Sequence, residues 1–263
     1  MNSSEDRSHR FFIHDGEIPV VINEPEGASV GTVVLLHGLL GHKDSEKFVT
    51  IARSLASRGW RAVRFDQAGS GESKSPLRVS LIYSRLRDLV RVVSWLKKAI
   101  LHDREDVYLW GSSLGGYISY LYGFFYQFEE PANLLVTEGI SVEDVLPVKA
   151  VISWATPFDI SLLHDFLKRT PPFCNCLDPT DPVGSPRTLE KIKASEDKSC
   201  LIVHGMKDEI VSWYDALKIR NVTQGDLFIF DHADHRFSDP DDRKLAIKAS
   251  ITWLERKSLT RVC

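Results

Sequence analysis

No apolar run in this chain is long enough to cross a bilayer. Met1 to Arg10 is polar and charged and lacks the apolar centre of a secretory signal, so residues 1–10 are expected to be a disordered, frayed start. No long basic run is present, and the formal net charge is only -3. That balance argues against nucleic acid or an anionic membrane surface as a partner. Cysteine is scarce: Cys174, Cys176, Cys200 and Cys263. Cys174-Asn175-Cys176 has no second cysteine pair or histidine pair at zinc spacing, which argues against a structural metal. Free thiols in a reducing compartment, the cytoplasm, are the expectation. There is no internal repeat and no sign of a second domain. The chain has 263 residues, 43% hydrophobic, enough for one globular domain with a substantial core, expected over 11–258. Nothing in the pattern sets the oligomeric state.

What is present is an alternation of strand and helix signals. Phe11 to His14 and Pro19 to Asn23, joined around Asp15-Gly16, read as a β-hairpin. Apolar runs at Thr32 to Leu36, Arg61 to Phe65, Val107 to Trp110, Lys149 to Trp154, Cys200 to His204 and Leu227 to Phe230 read as buried strands. Between them, apolar residues recur at helical spacing, as in Phe48, Ile51, Ala52 and Leu55, closed by Gly59. The last helix opens with Asp239 as cap, Pro240 at its first position, and Asp241 and Asp242 at the positive end of its dipole. This order predicts an α/β fold, a mostly parallel sheet of about eight strands covered by helices on both faces, with the hairpin as an antiparallel edge. The stretch from 155 to about 196 is rich in proline and poor in apolar runs, and is expected to form a small cap after the sixth strand.

The chain is organised around Gly111-Ser112-Ser113-Leu114-Gly115, which lies between a strand and a helix. A strand that turns this sharply into a helix strains the corner residue and exposes its side chain. The glycines flank Ser113 symmetrically, so Ser113 rather than Ser112 is the expected nucleophile. A serine hydroxyl needs a base to take its proton, and the base needs a third group to orient it. His235, after the last strand, is the expected base. Asp208, after the strand before it, is the expected acid, and Asp159 is its rival. The chain order is then Ser113, Asp208, His235.

With these residues in order, the sequence resembles the α/β-hydrolases over about Phe11 to Lys257. The features that carry the resemblance are His37-Gly38-x-x-Gly41, Asp66-x-x-Gly69-x-Gly71-x-Ser73, the Ser113 motif, His204-Gly-x-x-Asp208 and Asp234-His235-x-Phe237. Within that superfamily, the short excursion is similar to the cap of cinnamoyl-esterase-like and monoacylglycerol-lipase-like serine hydrolases. The resemblance implies an oxyanion hole built from the backbone N–H groups of Leu39 and Leu114. It also implies that no metal or organic cofactor is needed.

Several residues have plainer readings. His37 is expected to support the oxyanion turn, Asp66 to brace the glycine-rich turn, and His204 to be structural. Asp231-His232-Ala233-Asp234-His235 could be read as a metal cluster, but a triad accounts for His235 without one. Trp154 and Trp213 could line a pocket or fill the core. The leading expectation is a carboxylic ester hydrolase with small to medium or aromatic acyl groups, acting on a small-molecule ester. The alternatives are a thioesterase, amidase or carbon–carbon hydrolase with the same triad, or a non-catalytic ligand-binding protein on this scaffold.

Overall fold

The computed structural model describes residues 7–76, 81–101, 105–127, 139, 141, 145–161, 188–195 and 197–259. Its first two strands, β1 (Ser8–Ile13) and β2 (Ile18–Asn23), form the expected hairpin. The turn between them places His14, Asp15 and Gly16 at positive φ. β1 begins earlier than its apolar pattern suggests, because Ser8, His9 and Arg10 pair through the backbone with Asn23, Ile22 and Val21. The frayed start expected over 1–10 is corrected to that extent. Edge pairing needs only main-chain donors and acceptors, so exposed polar side chains do not prevent it.

Six further strands follow: β3 (Thr32–Leu36), β4 (Arg61–Phe65), β5 (Val107–Ser112), β6 (Val148–Trp154), β7 (Ser199–Gly205) and β8 (Asp226–Phe230). The sheet order is β1-β2-β4-β3-β5-β6-β7-β8. β1 and β2 are antiparallel and all other pairings except β2 with β4 are parallel. The eight-stranded, mostly parallel expectation is met.

Side chains alternate across the buried strands and so feed two cores. Val33, Leu35, Trp110, Ile152, Trp154 and Val203 pack on one face with α1 (Glu46–Ala56) and the last helix, α5 (Pro240–Leu259). Val34, Leu36, Leu109, Val151 and Ile202 pack on the other with α2 (Leu81–Ala99), α3 (Leu114–Gly123) and α4 (Trp213–Thr223). Asp239 caps α5 as its chemistry predicts, its Oδ1 accepting from the N–H groups of Asp241 (2.9 Å) and Asp242 (3.0 Å).

Trp154 belongs to this core rather than to a pocket. It packs on Trp110 and Phe237, with ring centroids 5.5 and 4.8 Å away, and donates from Nε1 to Ser250 Oγ. Trp213 is half-buried and stacks on Tyr214. Most of the expected cap lies outside the described residues, including Leu162, Leu163, Phe166, Phe173, Cys174 and Cys176, and so does Cys263.

The order of the strands decides where a site forms. From β3 the chain crosses to β4 on one side, and from β5 it moves to β6 on the other. The crevice outside the carboxyl ends of β3 and β5 is therefore the topological switch point, where open α/β sheets bind ligands. The His37-Gly38-Leu39 turn leaves β3 there, and Ser113 leaves β5 there.

Candidate active site

β5 ends at Ser112, and α3 starts at Leu114. Ser113 alone makes the turn, with φ 56 and ψ -125. This is a strained conformation for a residue with a side chain. It is over-determined from both sides: the Ser113 N–H donates to Trp154 O at 2.8 Å, and its carbonyl accepts from Gly116 N at 2.9 Å. The close turn also requires a missing side chain, since a Cβ on Gly111 would stand 2.3 Å from the Gly115 carbonyl oxygen. The Ser113 hydroxyl does not cap its helix. It faces His235, with Oγ 3.1 Å from Nε2.

Ser112 has different surroundings. Its Oγ is buried and accepts from Lys47 Nζ at 2.8 Å. Burial, with Arg243 nearby, pushes the Lys47 ammonium down to about 8.

His235 Nδ1 lies 2.8 Å from Asp208 Oδ2 and 3.0 Å from Oδ1. Because Asp208 accepts, Nδ1 carries the proton and Nε2 is left as the acceptor for the Ser113 hydroxyl. The carboxylate also accepts from the N–H groups of Ile210 (2.9 Å) and Val211 (2.7 Å). His204 is the partner that sequence reasoning missed: its Nε2 lies 3.0 Å from Asp208 Oδ2 and 3.0 Å from Val211 O. Burial alone would raise the Asp208 carboxyl. The hydrogen bonds from His204 and His235 outweigh it and hold the group well below the usual carboxylate range, so Asp208 is an anion between two imidazoles. The loops carrying these groups are tied together by Met206 N to Phe230 O (2.9 Å) and Lys207 N to Ala233 O (3.1 Å).

The structure brings Ser113, Asp208 and His235 together, with Asp208 holding His235 Nδ1. Asp159 Oδ1 accepts from Ser161 N at 2.7 Å, a local turn contact. Asp234 likewise caps its own turn, accepting from Arg236 N and Ser238 N. Among the described residues, no three His, Cys, Asp or Glu side chains gather in a way that could hold a metal.

Across the crevice, a Cβ on Gly38 would lie 3.1 Å from Ser113 Cβ, so the His37–Leu39 turn stands directly beside the serine. Leu39 is in this turn, and Leu114 supplies the first N–H of α3, which has no partner within the helix. His37 braces the turn as expected. Gln67 N donates to its Nε2 at 3.2 Å, so the ring proton sits on Nδ1, which donates to Gly38 O at 2.8 Å. Burial, aided by the Arg85 charge, pushes His37 down to about 3, which keeps the ring neutral and this tautomer fixed. Asp66 braces the glycine-rich turn, accepting from Glu72 N at 2.9 Å and from Lys43 N at 2.7 Å.

The profile of the alpha/beta hydrolase fold family matches residues 31–168, which carry the His37 turn, the Asp66 turn and the Ser113 elbow. The chain belongs to this family. The hydrolase is 24% identical over 259 residues to the human mitochondrial palmitoyl-protein thioesterase ABHD10, covering 90% of this chain and 77% of that protein. Among solved structures it is similar to mouse alpha/beta hydrolase domain-containing protein 10, with a TM-score of 0.65, 20% identity, and 94% and 99% of the two chains covered. It is also similar to Est1E from Butyrivibrio proteoclasticus with ferulic acid bound, with a TM-score of 0.66, 19% identity, and 92% and 96% covered. No helix of the hydrolase among the described residues is long and apolar enough to cross a membrane.

Proposed function

We propose that this protein is a serine hydrolase that cleaves carboxylic esters of small to medium or aromatic acyl groups through an acyl-enzyme on Ser113. The observation that carries the reading is the continuous hydrogen-bonded series from Asp208 through His235 to Ser113 Oγ, at a positive-φ corner beside a helix N-terminus. Ser113 Oγ attacks the acyl carbon while its proton passes to His235 Nε2. The negative charge moves onto the former carbonyl oxygen, where the N–H groups of Leu39 and Leu114 receive it. Asp208 stabilises the imidazolium and holds its orientation without taking the proton. The tetrahedral species collapses, the bond to the leaving oxygen breaks, and His235 returns the proton to that oxygen. Water then attacks the acyl-enzyme with His235 again as base, which releases the acid and restores Ser113.

The same sequence of steps cleaves a thioester, with sulfur leaving in place of oxygen. The similarity to ABHD10, a palmitoyl-protein thioesterase by name, favours this second reading. In both, the protein is a single α/β-hydrolase domain over 11–258. On this reading its compartment is the cytoplasm. Cell fractionation tests that against the mitochondrion.

The deciding experiment pairs fluorophosphonate labelling with nitrophenyl esters and thioesters of increasing acyl length. Labelling at Ser113, with kcat/KM highest for short, medium or aromatic esters, is the expected result. A kcat/KM that rises steadily to the longest chains overturns the acyl preference, and faster turnover of matched thioesters favours the second reading. Absence of labelling in folded protein points instead to a non-catalytic binding protein.

A further inference from the structure

α2 buries an arginine in line with Leu81 and Leu89, beside a buried Arg87–Asp88 ion pair. Arg85 lies one turn after Leu81 and one turn before Leu89, and its side chain is wholly buried. Burying a guanidinium is costly unless a carboxylate pairs with it. Among the described residues none does, and burial pushes Arg85 down to about 10. What it contacts is the backbone of the turn beside Ser113. Nη1 donates to Gly38 O at 3.2 Å, and Nη2 donates to Leu39 O at 2.9 Å. Nη2 also donates to Ser70 Oγ at 2.7 Å, which ties the glycine-rich turn to the same point.

The Gly38 carbonyl and the Leu39 N–H belong to one peptide unit. In a trans peptide these two bonds point in opposite directions. Whatever holds Gly38 O therefore aims the Leu39 N–H the other way. Three donors converge on that oxygen: Arg85 Nη1 at 3.2 Å, His37 Nδ1 at 2.8 Å and Gly41 N at 3.2 Å. His37 and Gly41 belong to the turn itself. Arg85 comes from a different element, and it also grips the next carbonyl. Its planar fork reaches the two adjacent carbonyls from two separate nitrogens, whereas a lysine offers a single nitrogen.

We propose that Arg85 is a positioning residue for the oxyanion hole. Its fixed charge locks the Gly38–Leu39 peptide with the Leu39 N–H toward Ser113 and polarises that N–H through the carbonyl of the same peptide. The inference rests on the Ser113 hydrolase reading, in which Leu39 is an oxyanion donor. It accounts for a buried cation with no salt-bridge partner among the described residues, because preorganised donors aimed at developing charge are where a fixed dipole acts most strongly.

The test is Arg85→Gln and Arg85→Lys, each assayed with a nitrophenyl ester and the matching thionoester. A sulfur anion accepts hydrogen bonds poorly, so the oxygen-to-sulfur rate ratio reports the oxyanion donors themselves. In Arg85→Gln we expect kcat for the ester to fall by ~10²-fold, KM to stay within about threefold, and the oxygen-to-sulfur ratio to fall by roughly tenfold. The pH midpoint of kcat/KM should not move, since His235 and Asp208 are untouched. Arg85→Lys, which keeps the charge on a single nitrogen, should fall between the variant and the wild type. It carries the same readouts if Arg85→Gln does not fold. An unchanged kcat overturns the proposal. So does an equal loss on both substrates with the ratio retained, which marks a merely structural arginine. If the wild type neither turns over esters nor reacts with fluorophosphonate, the hydrolase reading fails instead. A crystal structure of the same variant then decides the positioning role: a Gly38–Leu39 peptide in its wild-type orientation overturns it, and a rotated peptide supports it.

Discussion

Ser112 and Ser113 are neighbours of identical chemistry, separated by what surrounds them. Ser112 is buried and accepts from Lys47, whereas Ser113 faces an imidazole whose other nitrogen is held by a carboxylate. Ser113→Ala should lower turnover by several orders of magnitude and abolish fluorophosphonate labelling, while Ser112→Ala should keep most of both. Comparable losses from the two would reassign the nucleophile. The acid is tested in the same way. Asp208→Asn keeps the shape but favours the wrong tautomer of His235, at a cost on the order of 10⁴ in kcat by analogy with other triads. Asp159→Asn keeps the acceptor of the Ser161 turn contact and should leave kcat within a few-fold. Steady-state kinetics on the pair would reverse this order if the acid followed the sixth strand.

At the scale of the element, the helices were legible because their signals are local. Asp239 and Pro240 announce the start of α5, and Gly59 marks the end of the turn after α1. Asp239→Ala removes the acceptor for two N–H groups and should cost about 1 kcal/mol in denaturant unfolding. Ester turnover at a temperature where the variant is folded should not change, and a loss of turnover would tie α5 to the site. α2 shows where such reading stops. Its apolar spacing was visible, but Arg85 and Asp88 sit on the buried side of that stripe. A charged residue among buried apolar positions was the available signal, and it does not say which loop the charge serves. Asp88 in fact accepts from Ala68 N and Ser75 Oγ, holding a different turn from the one Arg85 holds.

Over the whole molecule, two buried groups set opposite limits of pH stability. The folded-state value of Asp208 is depressed, so its contribution is present above the unfolded carboxylate value of about 4 and is lost as pH falls toward the folded value. Cys200 is the reverse. Burial pushes its thiol up to about 12, so between about 9 and that value the unfolded chain has released a proton that the folded chain keeps, and stability falls as pH rises. Cys200→Ala should flatten the alkaline limb of a urea-unfolding profile, and Asp208→Asn the acid limb. An alkaline slope that is unchanged in Cys200→Ala would assign that limb to other groups, with buried Tyr120 the first to test.

The sequence by itself determined the strand and helix order, the strained corner at Ser113, and the chain order of Ser113, Asp208 and His235. Each of these depends on side-chain period, capping chemistry or glycine spacing within a few residues. Only the tertiary structure decided which groups meet. Ser113 and His235 lie 122 positions apart and come within 3.1 Å because the sheet sets β5, β7 and β8 with their carboxyl ends on one side. The same packing put Asp208 against His235, sent Trp154 into the core, and put His204 against Asp208. It also set Arg85 of α2 against the turn after β3. Such contacts arise from the register and layering of separate elements, and local pattern carries no information about the distance between them.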